Sequence, residues 1–155
     1  MGLNKNFPKS PFNIINPDVR WFPGDESLGD KGREKLLAPL VTKIRQEVFE
    51  WRKKNYSNIS DTSKSLLEYW FKTPHENEFN YYFAQRESVE TIIYLYEVAQ
   101  ITNPSDLIKY DSSGVILPSM FQEQWLRLII KQATGTGKTK VLSLLIAWCY
   151  FNKLY

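Results

Sequence analysis

Apolar residues recur at three- and four-residue steps through the first two thirds of the chain. Over residues 33 to 54, Leu37, Leu40, Val41, Ile44, Val48 and Trp51 fall on one face, which predicts an amphipathic helix with Pro39 in its first turn or at a kink. The side chains of Ser60, Asp61, Thr62 and Ser63 can cap a second, shorter helix that carries Leu66, Leu67, Trp70 and Phe71 and closes at Thr73-Pro74. Val89, Ile92, Ile93, Tyr96 and Ala99 form a third stripe, predicting a helix over about 82 to 100 that ends at Asn103-Pro104. Residues 103 to 122 hold two prolines, a glycine and Asp111-Ser112-Ser113, so they read as an irregular connection with at most one short helix around 105 to 109.

The pattern changes beyond residue 122. Leu126-Arg127-Leu128-Ile129-Ile130 is a short apolar run with β-branched residues, which suits a buried strand. Past residue 140, Val141, Leu142, Leu144, Leu145, Ile146, Trp148, Cys149 and Phe151 are apolar on nearly every face, and a helix of that kind must be covered on most sides. Between the two stands Gln132-Ala133-Thr134-Gly135-Thr136-Gly137-Lys138-Thr139. Strand, glycine-rich turn, Lys-Thr and helix is the order required of a nucleotide phosphate-binding loop.

Each residue of that order has a physical task. Gly135 and Gly137 reach backbone angles closed to other residues and let amide N–H groups approach phosphate oxygens. Lys138 supplies a point charge for the β and γ phosphates of ATP, and the Thr139 hydroxyl can coordinate the accompanying Mg2+. Thr134 and Thr136 complete the turn that wraps the phosphates, and the next helix aims its positive end at them. The general pattern G-x-x-x-x-G-K-[ST] would place its first glycine where this chain has Gln132.

The predicted fold class follows: a mainly α N-terminal region, then one β-strand, P-loop and α-helix unit of an incomplete α/β domain, which the resemblance of residues 133–139 to helicase motif I implies is a RecA-like α/β motor domain. Residues 1–30, with four of the eight prolines, read as an extended arm docked through Trp21, Phe22 and Pro23. Residues 31–122 form the helical region, and 123–155 begin the ATP-binding domain.

Composition narrows the class without choosing a ligand. A 15% aromatic share and 43% hydrophobic content argue for a folded chain, and a net charge of +3 is too small to indicate nucleic acid by itself. Arg52-Lys53-Lys54 reads as a solvated helix end, and Cys149, alone among apolar neighbours, as a reduced core residue. Without a second cysteine, a signal-peptide pattern or a membrane-length apolar run, the expected compartment is the cytoplasm and no membrane is expected. Met1-Gly2 does not announce myristoylation, because Asn6 stands where Ser or Thr is needed. His75 has no His or Cys companion for a metal site.

The loop spelled Ala133-Thr134-Gly135-Thr136-Gly137-Lys138-Thr139 resembles motif I of superfamily 2 helicases, in the form found in type I and type III restriction motor subunits. The first glycine is commonly replaced there, so Gln132 does not contradict the likeness. Phe83-Ala84-Gln85-Arg86-Glu87-Ser88-Val89-Glu90 is similar to the segment that precedes motif I in that superfamily, which implies that Gln85 contacts adenine. Asn16-Pro17-Asp18-Val19-Arg20-Trp21-Phe22-Pro23, Lys35-Leu36-Leu37-Ala38-Pro39-Leu40-Val41 and Phe121-Gln122-Glu123-Gln124-Trp125 resemble the N-terminal region of such restriction subunits. The resemblance implies ATP, Mg2+ and DNA as ligands of a full-length relative, a second chain completing the motor, and a DNA methyltransferase subunit as partner. The family's Asp-Glu box and arginine motifs are not found among these residues, so no catalytic residue is expected within this chain.

Two other functions remain open on these residues. A small P-loop kinase also uses Gly-x-Gly-Lys-Thr, although kinases carry the loop near the N-terminus with the rest of the domain after it. A non-enzymatic interaction fragment, with helices docked on a partner and a vestigial loop, is the third. ATP binding by the isolated chain separates the first reading from the third.

Overall fold

The computed structural model describes residues 10–17, 40–111, 113–121 and 125–154. The described helices are α1 (Val41–Lys53), α2 (Asp61–Phe71), α3 (Phe83–Ile93) and α4 (Lys138–Leu154). Short 3-10 turns occur at Glu76–Glu78, Pro104–Tyr110 and Pro118–Met120. The first of the three helical stripes is thus realised from residue 41 onward, while Leu37, Pro39 and the arm residues Trp21, Phe22 and Pro23 lie outside the described residues.

Local chemistry sets these boundaries. The Ser60 hydroxyl accepts the Ser63 N–H at 3.1 Å and caps α2. Asp106 accepts the N–H groups of Thr102 and Asn103, both at 2.9 Å, fastening the start of the Pro104–Tyr110 turn. Those backbone donors hold its carboxyl below the ordinary Asp value.

Helix α3 is the centre of the packing, in contact with α1, α2 and α4. Ile44, Val48 and Trp51 from α1, Leu67 and Trp70 from α2, Val89 and Ile93 from α3, and Val141, Leu144 and Trp148 from α4 form one apolar core. Val48, Leu67, Val89 and Ile93 are fully sealed from water. Burial of side chains of this size stabilises by about 1.5–3 kcal/mol each.

Helix α3 does not run on to residue 100 as an α-helix. It widens into a π turn over Tyr94–Val98. The wider turn shifts the phase of every later side chain, so Tyr94 and Leu95 are buried while Tyr96, expected on the apolar stripe, is 65% exposed. Glu97, displaced inward by the same shift, accepts hydrogen bonds from the Ser60 N–H at 2.8 Å and from the Trp148 indole at 3.1 Å. Trp148 Nε1 also donates to the Ser63 hydroxyl at 2.7 Å, joining α2, the π turn and α4.

The strand expected at residues 126–130 is not formed, and among the described residues there is no strand at all. Burial there nevertheless alternates with period two: Leu126, Leu128 and Ile130 are half-buried against the core, while Arg127 and Ile129 face outward. A ladder needs a neighbouring strand, and the described residues hold none. Helix α4 departs from expectation at Cys149, which is exposed rather than in the core. Its inward stripe is Val141, Leu144 and Trp148, which leaves Leu142, Ile146 and Tyr150 outside, each close to 60% exposed.

Arg52 also differs from the solvated helix end its neighbours suggest. Lys53 and Lys54 are exposed, but the Arg52 guanidinium turns inward to Glu90, a carboxylate with no exposed surface. Arg52 Nε donates to both Glu90 oxygens, at 3.0 and 2.9 Å, and Nη2 pairs with Oε2. Arg86 Nε donates to Oε1 at 2.8 Å, and the Tyr56 hydroxyl donates to the same oxygen at 2.5 Å. Tyr56 follows α1 with φ +56°, a strained value for a bulky side chain that persists only where surroundings hold it. Burial, then the nearby Glu90 charge, push its hydroxyl well above the ordinary tyrosine value.

Glu90→Ala is expected to destabilise the fold by about 3–5 kcal/mol, because it leaves two guanidiniums in the interior without their carboxylate. Denaturant unfolding monitored by tryptophan fluorescence measures this, and a loss under about 1 kcal/mol would show the cluster to be solvated.

Candidate phosphate-binding loop

The glycine-rich turn lies between the alternating run 126–131 and the start of α4 at Lys138. Gly135 has φ +83° and Gly137 φ +77°, a region that side chains with a Cβ enter only with strain. The sequence assigned these positions to glycine for that conformational reason. Thr136 Oγ1 donates to Ala133 O at 2.8 Å, closing the turn on itself. The first helical bonds follow at once, with the N–H groups of Lys140 and Val141 reaching Gly137 O at 2.9 and 3.4 Å.

Thr134, Gly135, Lys138 and Thr139 are exposed, and Thr136 and Gly137 are half-buried. Lys138 Nζ is turned back onto its own loop, donating to Ala133 O at 3.0 Å and reaching Gln132 O at 3.5 Å. Its positive charge therefore lies against the carbonyls of Gln132 and Ala133, and a phosphate approaching it would compete with two neutral acceptors. A charged acceptor binds an ammonium more strongly than a carbonyl does. Thr139 opens the first turn of α4, where the helix dipole favours anions.

Helix α3 supplies the wall behind the loop. Gln85 is 6% exposed, its Oε1 accepting the Tyr82 N–H at 3.0 Å and its Nε2 donating to Thr136 O at 3.1 Å. The structure thus brings Gln85 to the loop's backbone. Nε2 also reaches Gly137 O at 3.5 Å, so the amide nitrogen is directed at the loop backbone and the oxygen keeps a further acceptor site. Gln132, where the general pattern has glycine, sends its Nε2 to Ser88 Oγ at 2.7 Å and Ala84 O at 3.1 Å.

A cleft of about 410 Å³ opens beside the loop, lined by Pro11, Ile15, Tyr82, Phe83 and Ala84 on one side and by Gly135 and Thr136 on the other. Its floor is fixed by the N-terminal segment: the Phe83 N–H donates to Pro11 O at 2.8 Å, and Phe12 packs on Tyr82 with ring centroids 5.2 Å apart. Gln85 is not among the lining residues. Pro11, Phe12 and Ser88 carried no sequence signal, because their role comes only from what they meet in three dimensions. Gln132 carried one, its departure from glycine.

Comparison of the chain with protein-family models, with curated proteins and with solved structures finds no match.

A methyl group at Gly137 would come within 2.2 Å of Gln85 Nε2, whereas one at Gly135 would meet nothing within 4 Å. Gly135→Ala should therefore cost only the backbone strain of about 1–3 kcal/mol. Gly137→Ala is expected to cost more, and Gln85→Ala to recover the excess in the double variant. Strict additivity of the two substitutions in unfolding experiments would mean that Gln85 does not press on the loop.

Proposed function

We propose that the chain binds the triphosphate of ATP at Thr134, Gly135, Thr136, Gly137, Lys138 and Thr139. On this reading it is the N-terminal, ATP-binding part of a DNA helicase or translocase of a restriction-modification system. The observation that carries the reading is the pair of left-handed glycines set directly before α4, with Lys138 and Thr139 exposed at the helix start. The resemblance of residues 133–139 to motif I and of residues 83–90 to its upstream segment supplies the motor and the DNA.

The division of labour follows from the chemistry. Lys138 would exchange its loop carbonyls for β and γ phosphate oxygens, and Thr139 would offer its hydroxyl to Mg2+, which neutralises phosphate charge when bound. The cleft beside Tyr82 and Gly135 has room for a base, and Gln85, implied by the resemblance as the adenine contact, stands behind Thr136. Adenine recognition through Gln85 requires Nε2 to release Gly137 O or Thr136 O. In-line attack of water on the γ-phosphate needs a carboxylate to hold magnesium and a group to orient the water, which the family places in its Asp-Glu and arginine motifs. Hydrolysis and DNA translocation therefore belong to an assembly that contributes those motifs.

One observation favours a second reading, the interaction fragment. Leu142, Ile146 and Tyr150 on α4 and Ile129 on the unpaired run are exposed, the last at 93%. An apolar surface of this kind suits a partner chain. The two readings differ in whether the loop takes nucleotide.

Lys138→Ala should weaken ATP binding by at least about 1.5–3 kcal/mol, the range for a hydrogen bond to a charged group. Equal affinities in calorimetric titration would remove the phosphate loop from the account and leave the interaction fragment. Gln85→Ala should shrink any preference for ATP over GTP, because its amide can match the donor and acceptor of the adenine edge. Competition titrations with the two nucleotides test this, and undiminished discrimination would assign Gln85 to loop support alone.

A further inference from the structure

Gln132 occupies the position where a glycine would let the loop begin without any side chain. Its amide instead spans two elements. Nε2 donates to Ala84 O at 3.1 Å and to Ser88 Oγ at 2.7 Å on α3, while Oε1 lies 3.4 Å from Thr136 Oγ1 in the loop. The Ser88 hydroxyl donates in turn to Ala84 O at 2.7 Å, so all three groups form one small network. Ala84 and Thr136 both line the 410 Å³ cleft. The Thr136 hydroxyl proton goes to Ala133 O, so Gln132 reaches the loop through its own backbone, and its amide ties that backbone to Ala84 and Ser88 on α3.

We propose that Gln132 is a positioning residue that fixes the spacing between the base-side wall of the cleft and the phosphate loop, so that nucleoside and triphosphate are bound as one unit. The inference rests on the reading of residues 134–139 as the phosphate site and goes beyond it, because a loop alone would take a bare polyphosphate equally well. Two subsites held at fixed separation gain from each other, since the second contact is made without a further loss of freedom. Glycine at 132 could make none of these bonds. Methionine, similar in length and volume, could fill the space but would leave the α3 end untied.

The test compares ATP with inorganic tripolyphosphate, which shares the phosphates and lacks the nucleoside, on the wild-type chain, Gln132→Met and Ser88→Ala. The wild type should prefer ATP. Gln132→Met should reduce that preference by about fivefold to tenfold, the worth of one neutral hydrogen bond, through weaker ATP binding at constant tripolyphosphate affinity. Ser88→Ala, which removes the shorter of the two bonds on the α3 side, should move the ratio in the same direction even if the methionine variant folds poorly.

Equal weakening of both ligands would make Gln132 a mere support of the loop and overturn the proposal. So would an unchanged ratio in both variants. A wild type that binds tripolyphosphate as well as ATP would leave the phosphate loop standing and sink the coupling. A wild type that binds neither would bring down the phosphate site and the coupling together.

Discussion

A carboxylate cut off from water fixes where α3 lies, and α3 fixes everything that surrounds the loop. Glu90 has no exposed surface and is held by Arg52 from α1, Arg86 from its own helix and Tyr56 from the turn between α1 and α2. The net worth of such a cluster against an apolar replacement is small, because removing charges from water costs nearly what their attraction returns. Its consequence is selectivity of arrangement. A register of α3 that moved Glu90 away from Arg52 would strand charges in the interior, which apolar packing alone would not forbid.

That constraint reaches the loop through a short length of helix. Gln85 lies a little over one turn before Glu90 on α3, and the two residues face different tasks: Glu90 anchors the helix to α1, while Gln85 carries the loop through Thr136 O. Arg86 shares in both regions, bonded to Glu90 and placed next to Gln85 in sequence. The cleft beside the loop and the core are therefore not independent structures. Loss of the α1 contact would loosen the wall on which the glycine-rich turn rests before it disturbed the glycines themselves.

What could be read from sequence follows the range of each cause. The faces of α1, α2 and the α-helical part of α3 come from local periodicity, and the positions of Gly135 and Gly137 come from a backbone conformation that only glycine adopts without strain. The π turn has no such local cause, so Tyr96 was placed on the wrong face. Arg52 sits in a run of cations that looks solvated, and its partner lies 38 residues away. Cys149 follows the same logic, since an all-round apolar helix does not disclose which stripe will be inward. At the loop, the glycines and Lys138 were legible, whereas the hold of Gln132 on Ala84 and Ser88 exists only once α3 is folded against it.

The unpaired run at 126–130 bears on how the loop could work. Alternate residues already pack on the core, so the segment is held on one side by apolar burial, yet its backbone has no ladder to stiffen it along its length. A phosphate loop in a complete sheet inherits rigidity from the strands flanking its lead-in segment. Here the nearest substitutes are the side-chain bonds of Gln132 and Gln85 to α3 and to the loop. Strands paired with residues 126–130 would take over that duty, because a ladder fixes the backbone along its length. Such pairing would relieve Gln132 and Gln85 of a purely mechanical role.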